Sequence, residues 1–177
     1  MNRLLIMSCS QTKTKDPSTR VAGRDRYDGP LWRTLRATDP EGRLAQVAFL
    51  SALEGFRDAR WCVDQYDKRM TPELAERFIA GGIGGSWPKY KPGVAGGSTA
   101  ASHMASMTQW GKKPFDEVCM VGGQLYLSVM RVFVSQFVTS GYITADASII
   151  EINNQIGYMR RDLKTWLLRE EKTTLAA

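Results

Sequence analysis

The run Leu4-Leu5-Ile6 reads as a short buried strand, and the chain turns polar where that strand ends. Met7-Ser8-Cys9-Ser10-Gln11-Thr12-Lys13 puts hydroxyls, a thiol and an amine there, within a first strand read over residues 3–9 and the loop after it. The pattern recurs. Residues 46–52 (Gln-Val-Ala-Phe-Leu-Ser-Ala) read as a second strand buried on both faces, and residues 116–121 as a third that ends in Gly122-Gly123. Helical patterns separate them. Over 30–38, Pro30 fits the first turn and Leu31, Trp32 and Leu35 share a face; over 71–80, Thr71 is an N-cap, Pro72 follows, and Leu74, Phe78 and Ile79 are apolar. A helix from about 124 to 139 is expected to turn Leu125, Val129, Val132, Phe133 and Phe137 to the core. Residues 142–152 supply a fourth strand, and Gly157 precedes a last amphipathic helix with Tyr158, Leu163, Trp166 and Leu167. Strands that alternate with helices predict an α/β fold: a mostly parallel sheet of about four to five strands, flanked by helices.

The 177 residues suffice for one domain with a full core. Residues 10–28 and the stretch after the second strand read as loops. Residues 81–111 are Gly-rich and contain no Asp or Glu, and read as a long structureless insertion within a single domain over 1–177. No apolar run approaches the ~20 residues of a membrane span, and no secretory pattern opens the chain; a cytoplasmic protein without membrane contact is expected. Three cysteines, odd in number and far apart, argue against a disulfide framework or a structural zinc site. The single histidine, His103, excludes multi-histidine metal sites and leaves acid–base chemistry to carboxylates, Lys, Tyr or Cys. Gly122-Gly123 lacks the third Gly of a dinucleotide fingerprint and no Walker pattern is present, so neither a cofactor nor a metal is expected. The net charge of +6 favours a polyanionic partner.

Four polar clusters fall at or near strand ends: Ser8, Cys9, Ser10 and Lys13; Arg24, Asp25, Arg26, Tyr27 and Asp28 before the first helix; Ser51, continuing into Glu54, Asp58, Asp64, Tyr66 and Asp67; and Gly122, Gly123, Gln124 and Tyr126. A parallel sheet brings the first, third and fourth to one edge, where ligands bind in open α/β folds. Each cluster also has a structural alternative: a solvated Lys13, core tyrosines, an N-capping Asp67, a glycine pair that only permits a turn. Cys9 is either inert packing or a thiol activated near Lys13. Farther on, Trp87, Lys89, Tyr90 and Lys91 interleave rings with lysines, a pattern that suits base stacking and phosphate contact, and Trp110 with Lys112 and Lys113 repeats it. The alternative is a Trp87 folded onto the core.

These residues, in this order, resemble a family of small bacterial and phage proteins known as the domain of unknown function DUF6884. Its pattern runs sCxxxK, A+dLYxSxLFrk, LSAkhGll, YdxxL and GxGxxLxWL. The matching stretches are Ser8-Cys9-Ser10 with Lys13, Arg24-Asp25-Arg26-Tyr27 with Leu31-Trp32-Arg33, Leu50-Ser51-Ala52 with Gly55, Tyr66-Asp67, Gly122-Gly123 with Tyr126, and Gly157-Tyr158-Met159 with Leu163 and Trp166-Leu167. Leu53-Glu54 stand where the family has Lys-His, and 81–111 is an insertion of this chain's own. The family is distantly similar to the YaaA peroxide-stress proteins, which are DNA-associated, and to domains that handle deazaguanine bases in nucleic acid. The resemblance implies nucleobase or nucleic-acid chemistry in a bacterial or phage-infected cell.

Taken together, these features lead to an expected enzyme that cleaves or exchanges a base at an N-glycosidic bond. Its oxocarbenium-like transition state needs a carboxylate; Asp67 is the first candidate and Asp64 the second. Lys13 and Tyr27 would protonate or hold the leaving base, and Arg24 and Arg26 would grip phosphate. The partner is nucleic acid, DNA ahead of RNA, or a nucleotide. A DNA-binding protein without turnover and an enzyme on free nucleotides are the alternatives.

Overall fold

The structure, a computed structural model, describes residues 2–15, 21–87 and 98–169. The first strand, β1 (Arg3–Ser8), lies at the centre of a five-stranded sheet. On one side it pairs in parallel with β3 (Gln46–Ser51), matching Ser8 with Leu50; on the other it pairs in parallel with β8 (Phe115–Val121), matching Met7 with Val121. β9 (Ile143–Ile152) extends the parallel part beyond β8. β4 (Gly55–Asp58) closes the other edge, antiparallel to β3, so the order is β4-β3-β1-β8-β9. The chain is thus α/β, with a mostly parallel sheet flanked by helices.

The pleat divides the core in two, because successive strand side chains point to opposite faces. Leu4, Ile6, Ala48, Leu50, Val118 and Met120 enter one layer. Leu5, Met7, Val47, Phe49, Cys119 and Val121 enter the other. The first layer is covered by α3 (Pro72–Gly81), α4 (Ala100–Met107) and α5 (Gln124–Thr139), and the second by α2 (Pro30–Thr38) and α6 (Ile156–Leu168). Pro30 and Pro72 open their helices as expected, and the Thr71 hydroxyl accepts the Leu74 N–H at 3.3 Å.

Four expectations are corrected. The stretch after the second strand carries β4, whose four residues include Arg57 and Asp58; a short, charged strand leaves no apolar signature. The expected loop 10–28 contains β2 (Val21–Ala22) and the single turn α1 (Gly23–Arg26), with β2 paired to β5 (Cys62–Val63). Within 81–111 the described residues are not structureless: β6 (Ser86–Trp87) pairs with β7 (Ser98–Thr99), and α4 follows with a Thr99–Ser102 capping box. Leu125 and Tyr158 face outward at 37% and 49% exposure, whereas Leu127, Met130 and Met159 are buried. A helical face is wide, and the contacts across it decide which neighbours enter the core. No helix among the described residues is long and apolar enough to cross a membrane.

Phe137 is fully buried, with ring centroids 5.2 Å from Phe56 and 6.3 Å from Phe133. Phe137→Ala is expected to lower the unfolding free energy by about 3–5 kcal/mol in urea titration. Leu125→Ala on the same helix should change it by only about 0.5 kcal/mol. Equal losses would contradict the assignment of the faces of α5.

Candidate functional site

The two parallel pairings of β1 bring Ser8, Ser51 and Gly122 to the carboxyl edge of the sheet, as their strand positions anticipated. Close packing there depends on absent side chains. A Cβ on Gly122 would lie 3.0 Å from Ser8 Cβ, so the turn into α5 crosses directly over the end of β1. A Cβ on Gly29 would lie 2.3 Å from Ser10 Oγ, so the entry to α2 holds the polar turn from its other side. Two more contacts fix the turn: Trp32 Nε1 donates to the Ser8 carbonyl at 3.0 Å, and the Cys9 N–H donates to the Leu50 carbonyl at 2.9 Å.

A chain of hydroxyls runs beneath this edge. Ser51 Oγ accepts the N–H groups of Leu53 (3.1 Å) and Glu54 (3.0 Å). Those bonds occupy its lone pairs, so its own proton goes to Tyr66 Oη, 2.7 Å away. Tyr66 Oη is also 2.8 Å from Tyr27 Oη. Tyr27 is fully buried between Trp32 and Phe49. Burial, then the charges of Tyr66 and Cys9, hold the Tyr27 phenol well above its ordinary pKa. Burial and the charge of Cys9 likewise raise Tyr66 and Tyr126. All three phenols therefore stay protonated at neutral pH and remain hydrogen-bond donors.

Above the hydroxyls lies a cavity of about 270 Å³ lined by Cys9, Ser10, Lys13, Asp67, Arg69 and Tyr126, with Gln11, Lys68 and Met70 completing it. Cys9 Sγ and Tyr126 Oη are 3.1 Å apart. Lys13 Nζ lies 4.1 Å from the Tyr66 ring centroid and donates to the Ser10 carbonyl at 3.2 Å. Burial lowers the Lys13 amine below the usual lysine range; the charges of Cys9 and Asp67 oppose that shift and Arg26 adds to it. The site can thus hold an anionic group on its basic rim, present one carboxylate to a cation, supply a proton from an ammonium and donate a hydrogen bond from a phenol. Among the described residues, no three His, Cys, Asp or Glu side chains are grouped to hold a metal ion.

The other sequence candidates divide. Gly123 caps α5, and Gly123 and Gln124 lie exposed beside the cavity's Tyr126. Glu54 is half-buried, and burial raises its carboxyl; Arg57 opposes the rise, and exposed Asp64 adds to it. Asp64 therefore lies on the Glu54 side and does not line the cavity with Asp67.

Three candidates are corrected. Arg26 is fully buried, and its guanidinium donates to the carbonyls of Val63 (2.9 Å) and Thr14 (3.3 Å), so it braces the loop rather than a phosphate. Arg24 donates to the Asp39 carbonyl and lines a different pocket beside Gln46, at the opposite end of β3. Trp87 is buried at 8% exposure, 4.1 Å from the Phe78 ring, because its indole completes the core layer under α3 and is not offered for stacking. Lys89, Tyr90 and Lys91 lie outside the described residues. Lys68 and Arg69 are additional members. They follow Asp67 directly in the chain, but no strand or helix pattern indicated where they face.

No protein family matches the chain, and no curated protein or solved structure is significantly similar to it.

Lys13 should titrate below the other lysines when their methylated amines are followed by NMR across pH. Asp67→Asn removes an attraction that favours the ammonium, so it should move the Lys13 midpoint further down. Co-titration of Lys13 with the surface lysines would contradict its desolvated position.

Proposed function

We propose that the chain is an enzyme acting at the N-glycosidic bond of a nucleotide-sized, phosphate-bearing substrate, cleaving the base or exchanging it. One observation carries the reading: Asp67 and Lys13 face the same cavity, whose rim carries Lys68 and Arg69. In the proposed step the C1′–N bond breaks and its electron pair goes to the base nitrogen. That nitrogen takes a proton from the Lys13 ammonium, a stronger acid for being desolvated. Asp67 stabilises the oxocarbenium-like sugar until water or an incoming base forms the new bond at C1′ and gives up its proton to the Lys13 amine, which restores the ammonium. Lys68 and Arg69 hold phosphate, and Tyr126 with Cys9 contacts the base. Tyr27, being buried, acts as a positioning residue that holds Tyr66 beneath Lys13.

The DUF6884 resemblance supports nucleobase chemistry. Burial of Trp87 removes the ring best suited to stack on a polymer base, which favours a free nucleotide over DNA or RNA. The polymer reading keeps the charge of +6 and the segment with Lys89, Tyr90 and Lys91 in its favour. A DNA-binding protein without turnover would not need Asp67 in a basic cavity.

Incubation with nucleotides, DNA and RNA, followed by mass spectrometry of released bases, tests the activity. On the substrate found, Asp67→Asn should lower kcat/KM by about 100-fold or more with an unchanged melting temperature, because Asp67 is exposed. Asp64→Asn should retain near wild-type rates. No base released from any of these substrates, or full activity in Asp67→Asn, would overturn the assignment. Salt separates the substrates: activity on a polymer should fall steeply as salt rises, and activity on a mononucleotide much less.

A further inference from the structure

A second cavity, of about 360 Å³, opens at the C-terminal end of α3 and shares no lining residue with the cavity described above. Its walls are apolar: Phe56 of β4, Phe78 of α3, Phe133 of α5, Trp87 of β6 and Ala100 of α4. Gly81, Gly82 and Gly85 line it without side chains, and a Cβ on Gly81 would meet nothing within 4 Å, so the space along the end of α3 stays open. Its charge is one-sided. Arg57 and Arg77 line it, and among the described residues no Asp or Glu does.

The two arginines differ. Arg57 is buried, and its guanidinium donates to the carbonyls of Phe56 (2.8 Å), Ser98 (3.4 Å) and Trp87. It contributes a fixed positive potential to the wall. Arg77 is exposed on α3, with its guanidinium carbon 5.5 Å from the Trp87 ring centroid, and makes no ion pair among the described residues. The Trp87 indole N–H is buried and has no hydrogen-bond acceptor among the described residues. A buried donor without an acceptor is costly, and a ligand oxygen would relieve that cost.

We infer that this cavity binds an amphiphilic carboxylate, an alkyl or aryl acid whose apolar body lies among Phe56, Phe78, Phe133 and Trp87 and whose carboxylate meets Arg77. Apolar walls with a few polar groups at one end are the general form of a small-molecule site. The volume exceeds the ~150 Å³ of an apolar cavity that holds benzene, so a medium-length chain fits. Arg77, with no ion pair among the described residues, selects the anion over a neutral alcohol of the same length. The guanidinium of Arg77 offers a planar pair of donors to the two carboxylate oxygens.

The test uses the full chain with decanoate and decanol as probes, followed by isothermal titration calorimetry and saturation-transfer NMR. Wild type should bind decanoate at least ten-fold more tightly than decanol. Arg77→Leu should weaken decanoate binding by roughly ten-fold or more and leave decanol binding unchanged. Ala80→Trp, at an exposed position on the cavity wall, should abolish binding of both probes while Asp67-dependent base release, where present, continues. Thermal melts establish that each variant is folded, and Arg77→Leu, altered at an exposed position, decides the matter if Ala80→Trp does not fold. No decanoate binding by wild type, equal affinity for acid and alcohol, or full decanoate affinity in Arg77→Leu would each overturn the inference. None of these outcomes bears on the N-glycosidic reading, which concerns a different cavity.

Discussion

β1 pairs in parallel with β3 on one side and β8 on the other, and no side chain from Leu4 to Met7 reaches solvent. A strand buried on both faces cannot shift register by one residue without exchanging two complete sets of core contacts. Register then fixes where the strand ends. Because Ser8 stands opposite Leu50 and Met7 opposite Val121, the polar turn after β1 must emerge between Ser51 and Gly122. The cavity, the hydroxyl chain beneath it and the approach of α5 all follow from that one alignment.

The electrostatics of the site rest on the same burial. Tyr27 is held by Trp32 and Phe49, so its hydroxyl presents a rigid partner to Tyr66, and Tyr66 presents its ring face to Lys13. The lysine is lowered chiefly by burial, and its neighbours of opposite sign only moderate the shift. His103 stands elsewhere: it is buried against Trp61, and burial and Arg57 lower it to about 4, so it stays uncharged at neutral pH.

The positive charge is less available to a partner than composition suggests. Arg3, Arg26, Arg36 and Arg57 donate to backbone carbonyls from buried or half-buried positions, including Leu167 (3.0 Å), Val63 (2.9 Å), Tyr27 (2.7 Å) and Phe56 (2.8 Å). Guanidinium groups satisfy several acceptors at once in a fixed plane, which suits them to loops with few backbone partners. The loops around β2, α1 and β5 are of this kind. A net charge of +6 therefore does not describe a uniform basic surface; the exposed lysines Lys68, Lys112 and Lys113 carry more of it outward than the buried arginines do.

How far the chain could be read without coordinates follows from the range over which each signal acts. The strands β1, β3 and β8, the helices α2, α3 and α5, and the convergence of Ser8, Ser51 and Gly122 were legible, because apolar runs, proline and threonine caps and strand–helix alternation are local patterns. Joining Lys13, Asp67 and Tyr126 around one cavity was partly legible, since strand ends of a parallel sheet meet at one edge. What lay beyond reach was decided by contacts between distant residues. β4 forms only because β3 offers it an edge. Arg26 is withdrawn from solvent by the carbonyls of Val63 and Thr14, and Arg24 is carried to the far end of β3. Trp87 turns inward because Phe78 and Gly55 leave it a place in the core. Sequence alone determined which segments bury both faces, and so where polar chemistry collects. Tertiary packing determined which cations and rings remain free to meet a ligand, because burial of a side chain depends on neighbours that local pattern does not specify.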